Sequence, residues 1–263
     1  EVSAVGDPRV RDAIARCVDG AALTQELPSE ALAPAQGFVP PNHPAHDASV
    51  GTGYEPDRAA QLLNEVGWQD RDGDGIREAY DVSGFEDGEP LSVTLRLAPQ
   101  YLVIAAHIAT DLETCGIHID LQPTELAQLY AQDPASPLFG RTFEMVIIGW
   151  QAEVPQICGA WLSQRVPRPE NAWMGENFSG YRSETYDAAC RRALSTIDMQ
   201  EQIEALQTAQ RLLQISRPSA FVVWRPFWFA ARPQVQGLEP DASAYGTLWN
   251  SEEIFIGDPP PEE

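Results

Sequence analysis

The sequence is short of basic residues and has no long apolar run. Its 263 residues include 17 Lys and Arg against 39 Asp and Glu, which gives a formal net charge of −22. A surface of that sign repels phosphate backbones and anionic lipid headgroups, so nucleic acid is not an expected partner. No run of about 18 apolar residues occurs, so the sequence predicts no membrane-spanning helix.

Catalytic motifs are also missing from the sequence. It shows no Ser, His and Asp in a triad order, no nucleophile-elbow motif and no Gly-rich phosphate loop. The four histidines are scattered, and we interpret His107, among apolar helix residues, and His118, within a strand, as structural. The sequence therefore predicts a protein that is not an enzyme and that carries no organic cofactor.

The four cysteines do not have the spacing of metal ligands. They stand at positions 17, 115, 158 and 190, and they allow up to two disulfides whose pairing the sequence alone does not determine. Cys115 falls on the apolar stripe of a predicted helix, so we interpret it as a buried small residue rather than a reactive thiol.

The two ends of the sequence differ from its middle. The chain begins with Glu1 and shows no signal peptide before the first helix pattern, so we expect a piece of a longer protein. Residues 258–263 are rich in Pro and Glu, which predicts a disordered acidic tail. In the whole chain, 43% hydrophobic and 9% aromatic residues indicate a folded core.

Alternating strand and helix patterns predict an α/β fold. Leu91–Leu97 alternates as a strand, Tyr101–Cys115 has the apolar stripe of a helix, and Ile117–Leu121 alternates again. A strand, a helix and a strand with short connections form a βαβ unit, whose strands are parallel. Further helices are predicted to begin near Pro8, Pro56, Ser183 and Met199.

The run from Phe143 to Trp150 predicts a buried central strand, because its apolar residues leave no polar face. The residues that follow, 151–155, cannot continue this strand and form a loop at its carboxyl end. Sheets in α/β proteins bind ligands at that end. Trp150 and Glu153 are therefore candidate ligand-binding residues.

A Gly- and Pro-rich segment after Glu153 carries further candidates. Trp161, Trp173 and Tyr181 lie in it, and aromatic side chains on such loops are suited to stacking against a ligand. The alternative is that these rings pack one large loop onto the body of the fold, and the sequence leaves both interpretations open.

An acidic loop follows the helix that begins near Pro56. Its acidic residues at alternate positions, followed by a glycine, match the start of a calcium loop. The pattern predicts a structural calcium site with the ligands Asp70, Asp72, Asp74, Glu78 and Asp81. The twelfth position holds Asp instead of Glu and no clear second helix follows, so a metal-free cluster of Asx turns is the alternative.

Five segments, in this order, resemble the family 5 extracellular solute-binding proteins, the dipeptide, oligopeptide and nickel receptors of ABC importers. The segments are Asp7–Ile14, Tyr54–Trp68 with the acidic loop after it, Leu112–Asp120, the strand ending in Trp150 with Ser179-Gly180-Tyr181, and Arg217–Trp224. The resemblance covers nearly the whole chain. It implies a periplasmic-binding-protein-like type II lobe, with a mixed, partly parallel sheet flanked by helices. Because full-length members are longer, it also implies that residues 1–257 form the distal, C-terminal lobe, with or without the segment returning to the first lobe.

The same resemblance implies a function. The protein would be the substrate-binding component of an ABC importer, capturing a peptide-like or other small solute between two lobes and delivering it to the membrane permease. It would be a monomer located outside the cytoplasm, in the periplasm or anchored at the cell surface. In peptide-binding members an acidic residue similar in position to Glu153 pairs with the ligand's α-amino group. That residue is Asp in peptide receptors, and the usual Asp-Pro after it is replaced here by Val154-Pro155-Gln156.

The resemblance also bears on the cysteines. Some members carry a disulfide after the ligand loop, which implies a Cys158–Cys190 pair and leaves Cys17 and Cys115 as free buried thiols. Two other functions stay open, namely the ligand-sensing domain of a regulator that uses the same fold and a calcium-stabilised binding module.

Overall fold

The structure, a computed structural model, describes most of the chain. The described residues are 3–27, 32–51, 53–151, 154–225, 230–239 and 248–257. Glu153 and the acidic tail predicted at 258–263 lie outside these ranges, so the expectations for them stay predictions.

Seven α-helices lie in the described ranges. They are α1 Pro8–Cys17, α2 Gly20–Glu26, α3 Pro56–Val66, α4 Leu102–Thr114, α5 Leu126–Leu129, α6 Glu184–Ser195 and α7 Met199–Ser216. Asp7 accepts a hydrogen bond from the Arg9 N–H at the start of α1, and Ser183 accepts one from the Tyr186 N–H at the start of α6. Each cap satisfies a donor that the first helical turn leaves unpaired. Among the described residues, no helix combines the length and the apolar character needed to cross a bilayer.

Nine short strands are present in the described part of the chain. They are β1 Ala33–Pro34, β2 Trp68–Gln69, β3 Glu78–Ala79, β4 Ser92–Leu97, β5 His118–Pro123, β6 Met145–Ile147, β7 Val223–Trp224, β8 Val235–Gln236 and β9 Phe255–Ile256. Strands β5, β4 and β6 form a parallel sheet in that order. The others pair as three antiparallel ribbons, β1–β7, β2–β3 and β8–β9. Helix α4 connects β4 to β5, which is the predicted βαβ unit.

The strand predicted over 143–150 to be central lies at an edge of the described sheet, so that prediction is wrong. The central strand is β4, whose apolar side chains are at most 1% exposed. Met145 and Ile147 of β6 pack on one apolar cluster, whereas Val146 and Ile148 pack on another. Both faces are therefore covered, and this alone produces the continuous apolar run. The side-chain pattern contains no information on how many neighbouring strands the backbone pairs with.

Within the described ranges, three apolar clusters form the interior. The main core lies among α1, α3, α4 and the sheet, and includes the nearly fully buried Trp68. The helical core lies around α6 and α7 and includes Tyr186 and Leu206. The sheet-end cluster is smaller and contains Phe139 and Phe178, whose rings meet edge to face with centroids 5.1 Å apart.

All four cysteines are paired. One disulfide joins Cys17 at the end of α1 to Cys115 after α4, with the Cα atoms 6.3 Å apart, and the other joins Cys158 to Cys190. The expectation of free thiols at Cys17 and Cys115 is therefore wrong. Both residues lie on apolar stripes that face the main core, and the packing of α1 against α4 makes neighbours of two positions 98 residues apart.

Candidate ligand-binding site

The candidate site lies where the parallel strands end. Because β4, β5 and β6 run in the same direction, their carboxyl ends meet at one edge of the sheet. Tyr101 follows β4, Tyr130 follows β5 by one short helix, and Trp150 follows β6. Burial, and next the proximity of Tyr101, raise the pKa of Tyr130, so this phenol is a neutral hydrogen-bonding group at physiological pH.

Gly149 brings Tyr101 close to the end of β6. A Cβ atom at position 149 would overlap the Tyr101 hydroxyl group. Only glycine leaves this space free, so the tyrosine lies directly against the backbone that leads into Trp150. Tyr101 and Tyr130 were not among the predicted site residues, although their positions just beyond two predicted strands were a usable signal.

Trp150 is the exposed member of a continuous ring stack. Its indole stacks on Trp161 with centroids 6.0 Å apart and planes inclined by 24°, and it meets Phe178 at 5.9 Å. Trp161 in turn packs on Phe38 and Phe221, at 5.6 and 5.7 Å. Trp150 is 37% exposed, whereas Trp161 is only 6% exposed. The buried rings hold the exposed indole in one orientation, so it forms a rigid apolar platform.

Trp161 supports this platform from below and does not reach the surface. Its indole N–H donates to the Ser219 hydroxyl at 2.9 Å, which satisfies the one polar atom that the buried ring carries. The structure thus brings together two of the predicted site residues, Trp150 and Trp161, in complementary roles.

Trp173 and Tyr181, the other predicted aromatic residues, pack on the interior of the fold. Trp173 is half-buried against the sheet-end cluster, and its φ of 59° lies in the left-handed region. Tyr181 packs edge-on against Tyr186, 5.4 Å away, beside the helical core. Among the described residues, no ring contact connects either one to Trp150.

Asn177 holds the segment behind the ring stack in place. It is fully buried, and its amide donates to the carbonyl oxygens of Trp161, Leu162 and Tyr181 at 2.8–3.1 Å. Its carbonyl oxygen accepts from the Ser179 hydroxyl and the Tyr181 N–H. One side-chain amide therefore binds the backbone at both ends of the segment from Leu162 to Tyr181. No local pattern in the sequence distinguishes this Asn from an exposed one.

The acidic loop keeps four of its five predicted ligands together. Asp70, Asp72, Asp74 and Glu78 each place a carboxylate oxygen within 4.8 Å of the others. Asp81 is not part of this cluster, because it adopts a left-handed φ of 58° and its N–H donates to an Asp87 carboxylate. The predicted ligand set is therefore reduced to four.

A parallel sheet flanked by helices, with an aromatic platform at its carboxyl edge, has the fold of a lobe of the type II periplasmic-binding-protein class. Residues 2–162 match the model of the family described as bacterial extracellular solute-binding proteins, family 5 middle. The chain belongs to this family.

Named relatives agree with that assignment. Oligopeptide-binding protein AppA of Bacillus subtilis is 23% identical over 191 residues, which cover 71% of this chain and 32% of AppA. An oligopeptide binding protein from Thermus thermophilus, solved with a pentapeptide, superposes with a TM-score of 0.72 at 19% identity, over 84% of this chain and 38% of that protein. NikA from Brucella suis, solved with Fe(III)-EDTA, superposes with a TM-score of 0.69 at 21% identity, over 97% of this chain and 49% of NikA.

These superpositions confirm the predicted fold class, and at such identities they show the fold alone. The chain spans about a third of the length of the curated relative and less than half of each of the two solved proteins.

Proposed function

We propose that this chain is the distal lobe, over residues 1–257, of the substrate-binding component of an ABC importer. In that role it captures a peptide-like or other small solute against a second lobe and delivers it to the membrane permease. The observation that carries the proposal is the exposed Trp150 indole, held on buried rings at the carboxyl edge of a parallel sheet. Membership of family 5 supports it.

The Trp150 platform has the physical properties that capture requires. A ring already held in one orientation offers apolar contact area with little loss of conformational freedom on binding. Closure of two lobes around a hinge would bury that surface together with the solute. In this proposal Trp150 supplies the apolar wall, and Tyr101 and Tyr130 supply phenolic hydrogen-bonding groups beside it.

Glu153 supplies the charge in this proposal. A carboxylate three residues beyond Trp150 would form a charge-assisted hydrogen bond with a cationic group such as the α-amino group of a peptide. AppA and the Thermus protein are named as oligopeptide-binding proteins, whereas NikA was solved with Fe(III)-EDTA. The solute class is therefore proposed as peptide-like or another small solute.

The proposed location is outside the cytoplasm, in the periplasm or at the cell surface. The family is described as extracellular. Two disulfides are typical of proteins in an oxidising compartment. Both features favour a receptor over the sensor domain of a cytoplasmic regulator.

A thermal-shift screen of the intact protein against short peptides, oligosaccharides, nickel chelates and opines tests the proposal. We expect one class to raise Tm, and Trp150→Ala to weaken binding of that class at least about tenfold, as the loss of a central aromatic contact does. Trp249→Ala is the matched control, because Trp249 is 48% exposed and makes no ring contact with the stack. If Trp150→Ala binds every hit as tightly as the parent, the assigned site is wrong.

Glu153→Gln then tests the charge, because it removes the carboxylate and preserves its size. A solute with an ammonium group should bind more weakly to this variant, whereas a neutral sugar should be unaffected. Unchanged affinity for an ammonium-bearing hit would remove Glu153 from the site.

A further inference from the structure

The turn that connects β2 to β3 gathers negative charge without neutralising it. The four carboxylates of Asp70, Asp72, Asp74 and Glu78 lie within 4.8 Å of one another. In the described part of the chain, no salt bridge involves any of them. Like charges at this separation repel one another, and a bound cation would offset this repulsion in addition to the backbone N–H groups that donate to the three aspartates.

The two arginines of this turn are occupied elsewhere. The Arg71 guanidinium lies 3.5 Å from the centroid of the Tyr80 ring. Arg77 donates to the carbonyl oxygens of Cys115 and Trp68 at 2.8 and 2.9 Å and to the Asn64 side chain at 2.8 Å. Arg77 therefore connects the turn to the main core, whereas Arg71 packs on a ring just beyond β3.

Glu78 adds an observation that does not depend on the clustering. Its Oε2 atom is buried and accepts no hydrogen bond, although the three aspartates beside it are exposed. A buried carboxylate oxygen without a partner is rare in folded proteins, because its lost hydration is not replaced. A carboxylate oxygen of Glu78 also lies within 4.8 Å of a carboxylate oxygen of each of the three aspartates.

We propose that Asp70, Asp72, Asp74 and Glu78 bind one calcium ion. Glu78, whose Oε2 atom is buried, forms the floor of this site, and the three exposed aspartates form its rim. All four ligands are carboxylates, and the cluster contains no His or Cys, which favours a hard cation over zinc or copper.

Ligand type favours calcium over magnesium. Calcium accepts several protein carboxylates in flexible geometry, whereas magnesium requires near-ideal octahedral geometry and usually binds one or two carboxylates while keeping several waters. Four carboxylates on one turn therefore suit the larger ion. Water completes the coordination on the exposed side, since calcium takes six to eight oxygen ligands.

Bound calcium would stabilise the main core through Arg77. This residue follows the rim aspartates closely and donates to the carbonyl oxygen of Cys115, one end of a disulfide. A cation that binds the folded turn and not the unfolded chain raises Tm as its concentration rises. Solute capture at the Trp150 platform is not needed for this effect.

The test is calorimetric titration of the chelator-treated intact protein with calcium, and separately with magnesium, together with melting curves. We expect one calcium per chain, a Tm that rises with calcium, and weaker binding of magnesium. Absence of heat with calcium and of any Tm difference between chelator and calcium would overturn the proposal. Equal affinity for magnesium would overturn the assignment to calcium.

Variants identify the ligands. Asp72→Asn changes an exposed rim residue and should weaken calcium binding at least about tenfold. Asp81→Asn is the matched control, because Asp81 belongs to the same acidic stretch and lies outside the cluster, so it should bind like the parent. Glu78→Gln should also weaken calcium binding. If the Glu78 variant does not fold, Asp72→Asn alone tests the site. Parent-like calcium affinity in Asp72→Asn would exclude the proposed site.

Discussion

The main core and the helical core each contain one disulfide, yet different forces hold their backbones in place. In the main core a parallel sheet and three helices pair their own backbone groups, and the side chains are almost entirely apolar. The helical core has no described strand and includes loop residues around Phe38 and Cys158. Loop backbone cannot pair with itself in a ladder, so its polar groups need side-chain partners.

Helix α7 supplies many of those partners. Gln210, 2% exposed, donates to the Ala45 carbonyl oxygen at 2.7 Å. The Gln214 amide both donates to and accepts from the backbone of Gly51, at 2.9 Å in each case. Together with Asn177, these side-chain amides satisfy backbone polar groups in the helical core, as strand pairing satisfies them in the main core. The rings beneath Trp150 therefore depend on side-chain hydrogen bonds.

Removal of the disulfides should have the largest effect and should separate the two cores. Replacing Cys17 and Cys115 together by Ala should lower the free energy of unfolding by about 4–5 kcal/mol, and replacing Cys158 and Cys190 by about 3–4 kcal/mol. The difference arises because the bridges close loops of 98 and 32 residues, and the longer loop loses more entropy when closed. Urea unfolding of the two double variants measures it. A larger loss of unfolding free energy on removal of the Cys158–Cys190 disulfide would show that packing, and not chain entropy, determines the size of the effect.

Asn177→Ala should be the next most damaging change. It removes three donated hydrogen bonds and leaves buried carbonyl oxygens unpaired, which should cost about 2–4 kcal/mol. Asn171→Ala is the control, because Asn171 is only half-buried and makes two hydrogen bonds, so about 1 kcal/mol is expected. Unfolding monitored by Trp fluorescence reports on both. Equal losses would mean that the buried amide is not specially important for the helical core.

Asp47 should give the smallest effect and one that depends on pH. Hydrogen bonds from Ser49, and then those from Arg211, hold the pKa of this carboxyl below its usual value of 3.8. Because the folded pKa is the lower one, the stabilisation is complete above the unfolded pKa and is lost as the pH falls through the folded pKa. Asp47→Asn should therefore cost about 1–2 kcal/mol at pH 7.

The same variant should approach the parent in stability near pH 3. Urea unfolding at pH 7, 5 and 3 measures the change, with Glu252→Gln as an exposed control for the loss of one charge. A difference between Asp47→Asn and parent that stays constant over this range would contradict the linkage.

Much of the fold could be predicted because it depends on local chemistry. The cap at Asp7 and the βαβ unit from β4 to β5 follow from side chains within one turn or one strand. The acidic loop and Trp150 at the end of a strand could be located for the same reason. Clustering of four loop carboxylates also follows, since their spacing brings them together in any turn of that shape.

The long-range arrangement could not be predicted, because it depends on which apolar faces pack together. An apolar stripe predicts that one face of a helix is buried, but it does not predict which element that face packs against. The packing of α1 on α4 therefore decided that Cys17 meets Cys115, across 98 positions. The order of strands decided that β6 lies beside β4, at an edge of the sheet that the described residues form.

The sequence by itself determined the class of fold, the family and the residues that begin the candidate site. Only the tertiary structure decided that Trp161 packs against Trp150, that the Tyr101 hydroxyl lies against Gly149, and that one Glu78 oxygen is buried without a hydrogen-bond partner. The physical reason is the distance along the chain over which each kind of interaction acts. Periodicity and turn chemistry act over a few residues, whereas a ring stack or a buried charge depends on surfaces that meet only when the whole chain packs.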